Sequence, residues 1–141
     1  MADKHGVITV GSLDELDVIE THIELLRPGD KRTLRVPVRT LTQGELLGLR
    51  KAVKWPTPPQ MMLKVNGRPQ MQPNYDDDGY KQALEDASLQ AQKLLVLRCL
   101  QIPIPGEDET AQIATLDAKI GAWAMLPLMR LLNELHGYTQ A

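Results

Sequence analysis

The sequence has no phenylalanine and only 4% aromatic residues, so its core must be built from aliphatic side chains and methionine. It contains a single cysteine, Cys99, which excludes an internal disulfide and is typical of a reducing compartment. Cys99 lies in the apolar stretch Leu94–Leu100, where we expect a buried, structural thiol. With 141 residues and 43% hydrophobic content, the chain is long enough for one domain with its own core.

Targeting and membrane signals are also lacking. The chain begins Met1-Ala2-Asp3-Lys4, with no apolar segment of a signal peptide. No run approaches the roughly 20 apolar residues that a transmembrane helix needs. The sequence therefore predicts a cytoplasmic protein with no membrane partner.

Motifs for catalysis are missing as well. Neither serine, Ser12 or Ser88, stands in a nucleophile elbow, and no glycine-rich phosphate loop is present. The histidines His5, His22 and His136 have no second histidine or cysteine at metal-ligand spacing. We therefore expect no enzymatic activity, no catalytic residues, no metal and no cofactor.

One acidic segment has the spacing of a calcium loop, with oxygen-bearing side chains and a glycine at the required intervals. Its residues are Asn74, Asp76, Asp78, Gly79 and Glu85. Asparagine replaces the usual first aspartate, and the preceding segment is too rich in proline and glycine to supply the entering helix. An acidic helix start explains the same residues, and we favour that interpretation.

Charge is distributed unevenly along a chain whose net charge is only −2. Residues 27–68 carry ten basic and two acidic side chains, or +8, whereas the rest of the chain carries −10. The simplest explanation is that the two halves lie against each other. The alternatives are a basic surface for an acidic partner helix or, less favoured because stacking aromatics are absent, a nucleic-acid surface.

The hydrophobic pattern predicts a mainly α domain with a small β-hairpin element, an α+β fold of about four helices. Residues 1–32 form an N-terminal segment with a short helix from Ser12 and the first hairpin strand, and 33–137 form the helical domain. Residues 138–141 are a tail. Within 55–75, proline-rich and punctuated by Asn66-Gly67, we expect a small exposed hairpin or a flexible loop.

Helices are predicted from their caps and apolar spacing. The capping box Thr42-Gln43-Gly44-Glu45 begins a helix to about Lys54, and a long helix spans about 77–101, with its last third buried. A short helix follows from Glu107, and a final helix runs from Asp117 to His136. Pro127 must interrupt or kink that last helix, and we favour a break near 122–126.

The C-terminal stretch from Ile120 to Leu132 is more apolar than one helix can bury against a domain of this size. Plain core is one explanation. The alternative is a groove for an amphipathic partner helix, or a self-association surface. The candidate partner-binding residues are Trp123, Met125, Leu128, Met129 and Leu132.

The order of these segments resembles the short tail assembly chaperones of long-tailed, non-contractile phages. The likeness covers residues 33–137. Its parts are a strand ending Val36-Pro37-Val38-Arg39, a capped helix at Leu41–Leu46, an Asn74–Tyr80 segment opening a long helix, and the ending Arg130–Gly137.

This resemblance implies a helical, non-enzymatic chaperone, phage- or prophage-encoded and acting in the bacterial host cytoplasm. Its partner would be the long helical tape-measure protein, with tail-tube subunits as further partners. Such chaperones are often also made in a longer, frameshifted form. The alternatives are an oligomeric head–tail or tail-completion protein and, least favoured, a small nucleic-acid-binding regulator.

Overall fold

The computed structural model of the chain describes residues 6–137. It contains four α-helices and two separate antiparallel hairpins, with 46% helix and 20% strand, which confirms the predicted α+β fold. The strands are β1 Glu20–Leu26, β2 Thr33–Arg39, β3 Gln60–Val65 and β4 Arg68–Pro73. The helices are α1 Gln43–Ala52, α2 Asp78–Cys99, α3 Glu109–Lys119 and α4 Ala122–Leu135, preceded by a 3₁₀ turn at Leu13–Leu16.

One hydrophobic core joins β1, β2 and the four helices. We call these six elements together the body. Val38, Val96, Cys99 and Leu132 are its least exposed side chains, at 1% or less. In β1 and β2, alternate residues such as Ile23, Leu25 and Val38 point into this core, as period-2 patterning requires. The last third of α2 is buried almost all round, as its sequence predicts.

Side-chain caps fix where the helices of the body begin. The Thr42 hydroxyl accepts from the Glu45 backbone N–H at 3.1 Å, and the Glu45 carboxylate accepts from the Thr42 N–H at 3.0 Å. Asp77 caps α2 by accepting from the Tyr80 N–H at 2.9 Å, and Asp108 caps α3 in the same way. These contacts confirm the predicted capping box at Thr42 and the acidic helix start of α2.

The predicted break in the C-terminal helix is misplaced. Helix α3 ends at Lys119 and α4 begins at Ala122, so the break lies at Ile120–Gly121. Asp117 belongs to α3 and not to the last helix. A Cβ at Gly121 would lie 2.5 Å from the Trp123 indole nitrogen, so a larger residue here would displace this ring from the turn. Pro127 lies inside α4 and removes one N–H, yet the helix continues because its apolar face is anchored in the core.

The second hairpin, β3–β4, stands apart from the core. Asn66 and Gly67 form its turn with φ of 54° and 76°, as the Asn-Gly signal predicts, so most of the 55–75 segment is regular strand rather than loop. No residue of either strand is buried. Within residues 6–137, neither strand packs extensively on any element except its partner strand.

Candidate partner-binding surface

The structure places most of the predicted partner-binding residues in the core. Met125, Leu128, Met129 and Leu132 are between 0% and 8% exposed, whereas Trp123 is 37% exposed. These four side chains share one face of α4 and pack against the rest of the body. An open groove lined by all five is therefore wrong for this fold, and the plain-core explanation holds for four of them.

The opposite face of α4 keeps a small apolar surface. Leu126 is 67% exposed and borders a shallow pocket with Pro127 and Arg130. Trp123 lies one turn before Pro127 on the same helix. This surface is the remaining part of the C-terminal candidate site.

A second group of exposed apolar side chains lies on the β3–β4 hairpin. Met62 is 64% exposed, Met71 57% and Leu63 40%. Met62 and Met71 stand directly opposite each other across the two strands and so share one face, while Leu63 points to the other. Methionine side chains are flexible and polarisable, which suits a surface that adapts to different apolar partners.

Positive charge accompanies this apolar surface. Lys64 and Arg68 are exposed, and the sequence has no acidic residue between Leu46 and Tyr75. In the described part of the chain neither side chain lies within ion-pair distance of a carboxylate. The hairpin is therefore a basic surface with exposed methionines.

Most ion pairs among the described residues lie within one half of the sequence, but Arg35 of the basic region pairs with Glu24 of the acidic part at 3.4 Å. Arg27 and Arg32 pair with Asp30, and Arg39 pairs with Glu45, all within the basic region. The acidic half has pairs of its own, Lys93–Asp117 and Arg98–Glu109. The basic region is therefore paired partly within itself and partly with the acidic half.

Two polar contacts tie the elements of the body together around the start of α1. The Arg39 guanidinium donates to both Glu45 carboxylate oxygens, at 3.1 and 2.8 Å. Together with the Thr42 N–H, this contact lowers the pKa of Glu45 to about 2. The Leu41 N–H donates to His136 Nε2 at 2.9 Å, while Nδ1 lies 2.7 Å from the Leu132 carbonyl oxygen. Because Nε2 accepts, Nδ1 is the ring nitrogen that donates to the Leu132 carbonyl.

The residues considered for metal or thiol chemistry take part in helix capping or lie in the core. Asp77 caps α2, and the Asp76 N–H bonds to the Asn74 side-chain oxygen at 3.1 Å, so the acidic segment forms a helix start. Over residues 6–137 no cluster of three or more His, Cys, Asp or Glu side chains could hold a metal. His5 lies outside the described residues. Cys99 is fully buried, and burial raises the pKa of its thiol to about 12.

Comparisons of the chain with protein-family models, curated proteins and solved structures found no match. No helix among the described residues is long and apolar enough to cross a bilayer. The likeness to tail assembly chaperones thus stays a prediction from the sequence. Sequence reasoning found the second hairpin but missed that its surface, rather than the C-terminal stretch, carries the exposed methionines.

Proposed function

We propose that this chain is a non-enzymatic protein-binding chaperone of phage tail assembly, which binds the tape-measure protein and keeps it soluble. The observation that carries this proposal is the β3–β4 hairpin, which presents Met62, Met71 and Leu63 to solvent instead of to the core. Exposed apolar side chains grouped outside the core are typical of protein-interaction sites. The order of the sequence segments supplies the identity of the client.

The mechanism follows from what a tape-measure protein exposes before assembly. A long amphipathic chain without its tail tube exposes apolar stripes that would otherwise aggregate. The hairpin would cover part of such a stripe with its methionines, while Lys64 and Arg68 attract acidic side chains beside it. Tail-tube subunits are a second partner under the same proposal, because the chaperone would deliver its client to them.

The test is co-expression of the tagged chain with the neighbouring open reading frames, followed by affinity capture and mass spectrometry. We expect one very long helical protein, soluble only when this chain is present. The double substitution of Met62 and Met71 by glutamate should reduce its recovery at least tenfold. Leu89→Glu, at an exposed apolar position on α2 outside both candidate surfaces, is the control and should leave recovery unchanged.

Other outcomes would overturn the proposal in distinct ways. Recovery of the chain alone as a discrete oligomer would favour a head–tail or tail-completion component. Binding of DNA or RNA that weakens steeply with salt would favour a nucleic-acid-binding regulator. Glutamate at Met129 or Leu132 is unsuitable for this test, because these buried positions would unfold the body whatever the function.

A further inference from the structure

The four strands offer four outer edges, which differ in how readily they accept another strand. In an antiparallel pair, every second residue turns its N–H and C=O away from its partner strand. An unprotected row of such groups is a template for another strand. An edge is open when the residues that turn their backbone groups outward can still donate and accept hydrogen bonds. Two things therefore matter for each hairpin: which residues face outward, and what those residues are.

In the first hairpin one edge is partly covered and the other is acidic. The Pro37 carbonyl of β2 accepts from the Gln101 N–H at 2.9 Å, and Val38 forms a bridge with Leu100, so the segment after α2 covers the end of this edge. The outward positions of β1 include Glu20, His22 and Glu24. Two carboxylates at outward positions disfavour the addition of an acidic strand.

In the second hairpin, one contact at the open end shows which residue pairs are hydrogen-bonded to each other. The Asn74 N–H donates to the Pro59 carbonyl at 2.7 Å, which makes these two residues a hydrogen-bonded pair. The next pair, Gln60 and Pro73, then turns its backbone groups outward, as do Met62 with Met71 and Lys64 with Pro69. Both prolines of β4 thus stand at outward positions, where their missing N–H groups cost the hairpin nothing.

These prolines block the β4 edge and leave the β3 edge open. Along β4 only Met71 keeps an outward N–H, since Pro69 and Pro73 have none. Along β3 the residues Gln60, Met62 and Lys64 all keep theirs, and all three are exposed. No further strand pairs with β3 among residues 6–137.

We propose that the open edge of β3 accepts an extended segment of a partner protein as a third strand, and that this segment is apolar and acidic. The proposal rests on the protein-binding function above and specifies how the hairpin would hold its client. Backbone hydrogen bonds to Gln60, Met62 and Lys64 would supply affinity, and alternate side chains of the added strand would contact Met62 and Leu63.

Charge selects an acidic partner over a second copy of this chain. Lys64 stands at the open edge and Arg68 beside the turn, without a carboxylate partner in the described part of the chain. A second copy of β3 contains no acidic residue, so it would offer Lys64 no carboxylate partner. A strand bearing aspartate or glutamate opposite Lys64 instead forms a cross-strand ion pair.

The test uses two six-residue peptides with blocked ends, one alternating valine and glutamate and the other alternating valine and lysine. Fluorescence anisotropy with the full chain measures their affinity. We expect the glutamate peptide to bind at least tenfold more tightly than the lysine peptide. Equal binding of the two peptides, or no binding of the glutamate peptide, overturns the proposal.

The hairpin itself provides a matched pair of variants. Met62→Pro removes an outward N–H from the β3 edge, whereas Met71→Pro, directly opposite, removes one from the blocked β4 edge. Neither substitution removes a hydrogen bond between the two strands. Met62→Pro should weaken glutamate-peptide binding at least tenfold, and Met71→Pro should change it less than twofold. Equal effects of the two prolines contradict the proposal.

Amide hydrogen exchange separates edge binding from a change in the hairpin. In the free chain the amides of Met61, Leu63 and Val65 should be protected, while those of Gln60, Met62 and Lys64 exchange freely. Peptide binding should protect the second set. Gln60→Pro repeats the test without altering the methionine if Met62→Pro disturbs the ladder.

The inference and the proposed function can fail separately. If the wild-type chain recovers the tape-measure protein but Met62→Pro recovers it equally well, strand addition is wrong and the chaperone function stands. If the glutamate peptide binds at β3 but no tape-measure protein is recovered, the edge is a binding site for another acidic partner and the chaperone function is wrong.

Discussion

Methionine occupies opposite environments in the body and in the β3–β4 hairpin. Met125 and Met129 of α4 are 8% and 7% exposed, whereas Met62 and Met71 of the hairpin are 64% and 57% exposed. The same residue type fills gaps in the core of one region and covers the surface of the other. Composition therefore does not say which apolar residues stabilise the fold and which are available to partners.

Truncation of one methionine in each region should give the largest contrast. Met129→Ala leaves a cavity in the core and should lower the free energy of unfolding by about 2–5 kcal/mol. Met62→Ala removes side-chain atoms that already face solvent and should change it by less than about 0.5 kcal/mol. Urea denaturation followed by circular dichroism measures both. Similar losses would mean that the hairpin packs on the body more closely than its exposure indicates.

Most of the body could be predicted from sequence because its signals are local. Helix starts follow from Thr42 and Asp77, whose side chains bond to backbone groups three residues on. The break at Ile120–Gly121 was misplaced because the sequence signal was Pro127, which α4 accommodates inside the helix. The burial of α4 depends on which elements surround it, so periodicity could not separate a core face from a groove.

The open edge of β3 had a signal that sequence reasoning did not use. Pro69 and Pro73 are four residues apart and so point their backbone the same way in a strand. Once the Asn66-Gly67 turn sets the register, this even spacing assigns both prolines to outward positions of β4. The absence of proline within β3 then marks the unblocked edge.

The His136 contact should make the second-largest contribution among these tests. His136→Ala leaves the Leu41 N–H without its acceptor in a position only 7% exposed, at a cost of about 1–3 kcal/mol. His22→Ala is the control. That ring is exposed, so its removal should change the free energy of unfolding by less than about 0.5 kcal/mol. Equal effects in urea denaturation would show that the link between α4 and the start of α1 is not stabilising.

Glu45 should give the body a pH dependence that the hairpin lacks. Its pKa of about 2 lies below the ordinary 4.5, since the Arg39 guanidinium, then the Thr42 N–H, bind the charged form. A lowered folded-state pKa stabilises the fold above pH 4.5 and loses that contribution as the pH falls toward 2. The side chain is 39% exposed, so screening limits the effect to about 1 kcal/mol.

Glu45→Gln should remove this contribution and flatten the stability profile between about pH 5 and pH 2. Urea denaturation at a series of pH values measures it. Glu85→Gln on the exposed face of α2 is the matched control and should leave the profile as in the wild type. A profile that Glu45→Gln leaves unchanged would assign the acid sensitivity to other carboxylates.

Substitution of one glycine in each region should produce the smallest change in the global free energy of unfolding. It should also separate most clearly the stability of the body from that of the hairpin. A Cβ added at Gly48 in α1 or at Gly67 in the hairpin turn meets no atom within 4 Å, so any difference comes from the backbone. Gly48→Ala should stabilise the body by about 0.5–1 kcal/mol, because alanine loses less freedom in a helix. Gly67→Ala forces a side chain into φ of 76° and should open the hairpin.

Because the hairpin contributes no core residue, Gly67→Ala should leave global unfolding within about 0.5 kcal/mol of the wild type while β3 amides lose protection from exchange. Cys99 reports the body in the same sample, since its thiol, buried and with its pKa raised to about 12, reacts with alkylating reagents only when the body opens. Faster Cys99 alkylation in Gly67→Ala would show that hairpin and body unfold together. Unchanged alkylation with lost β3 protection would establish that the partner-binding element can be altered without weakening the fold that carries it.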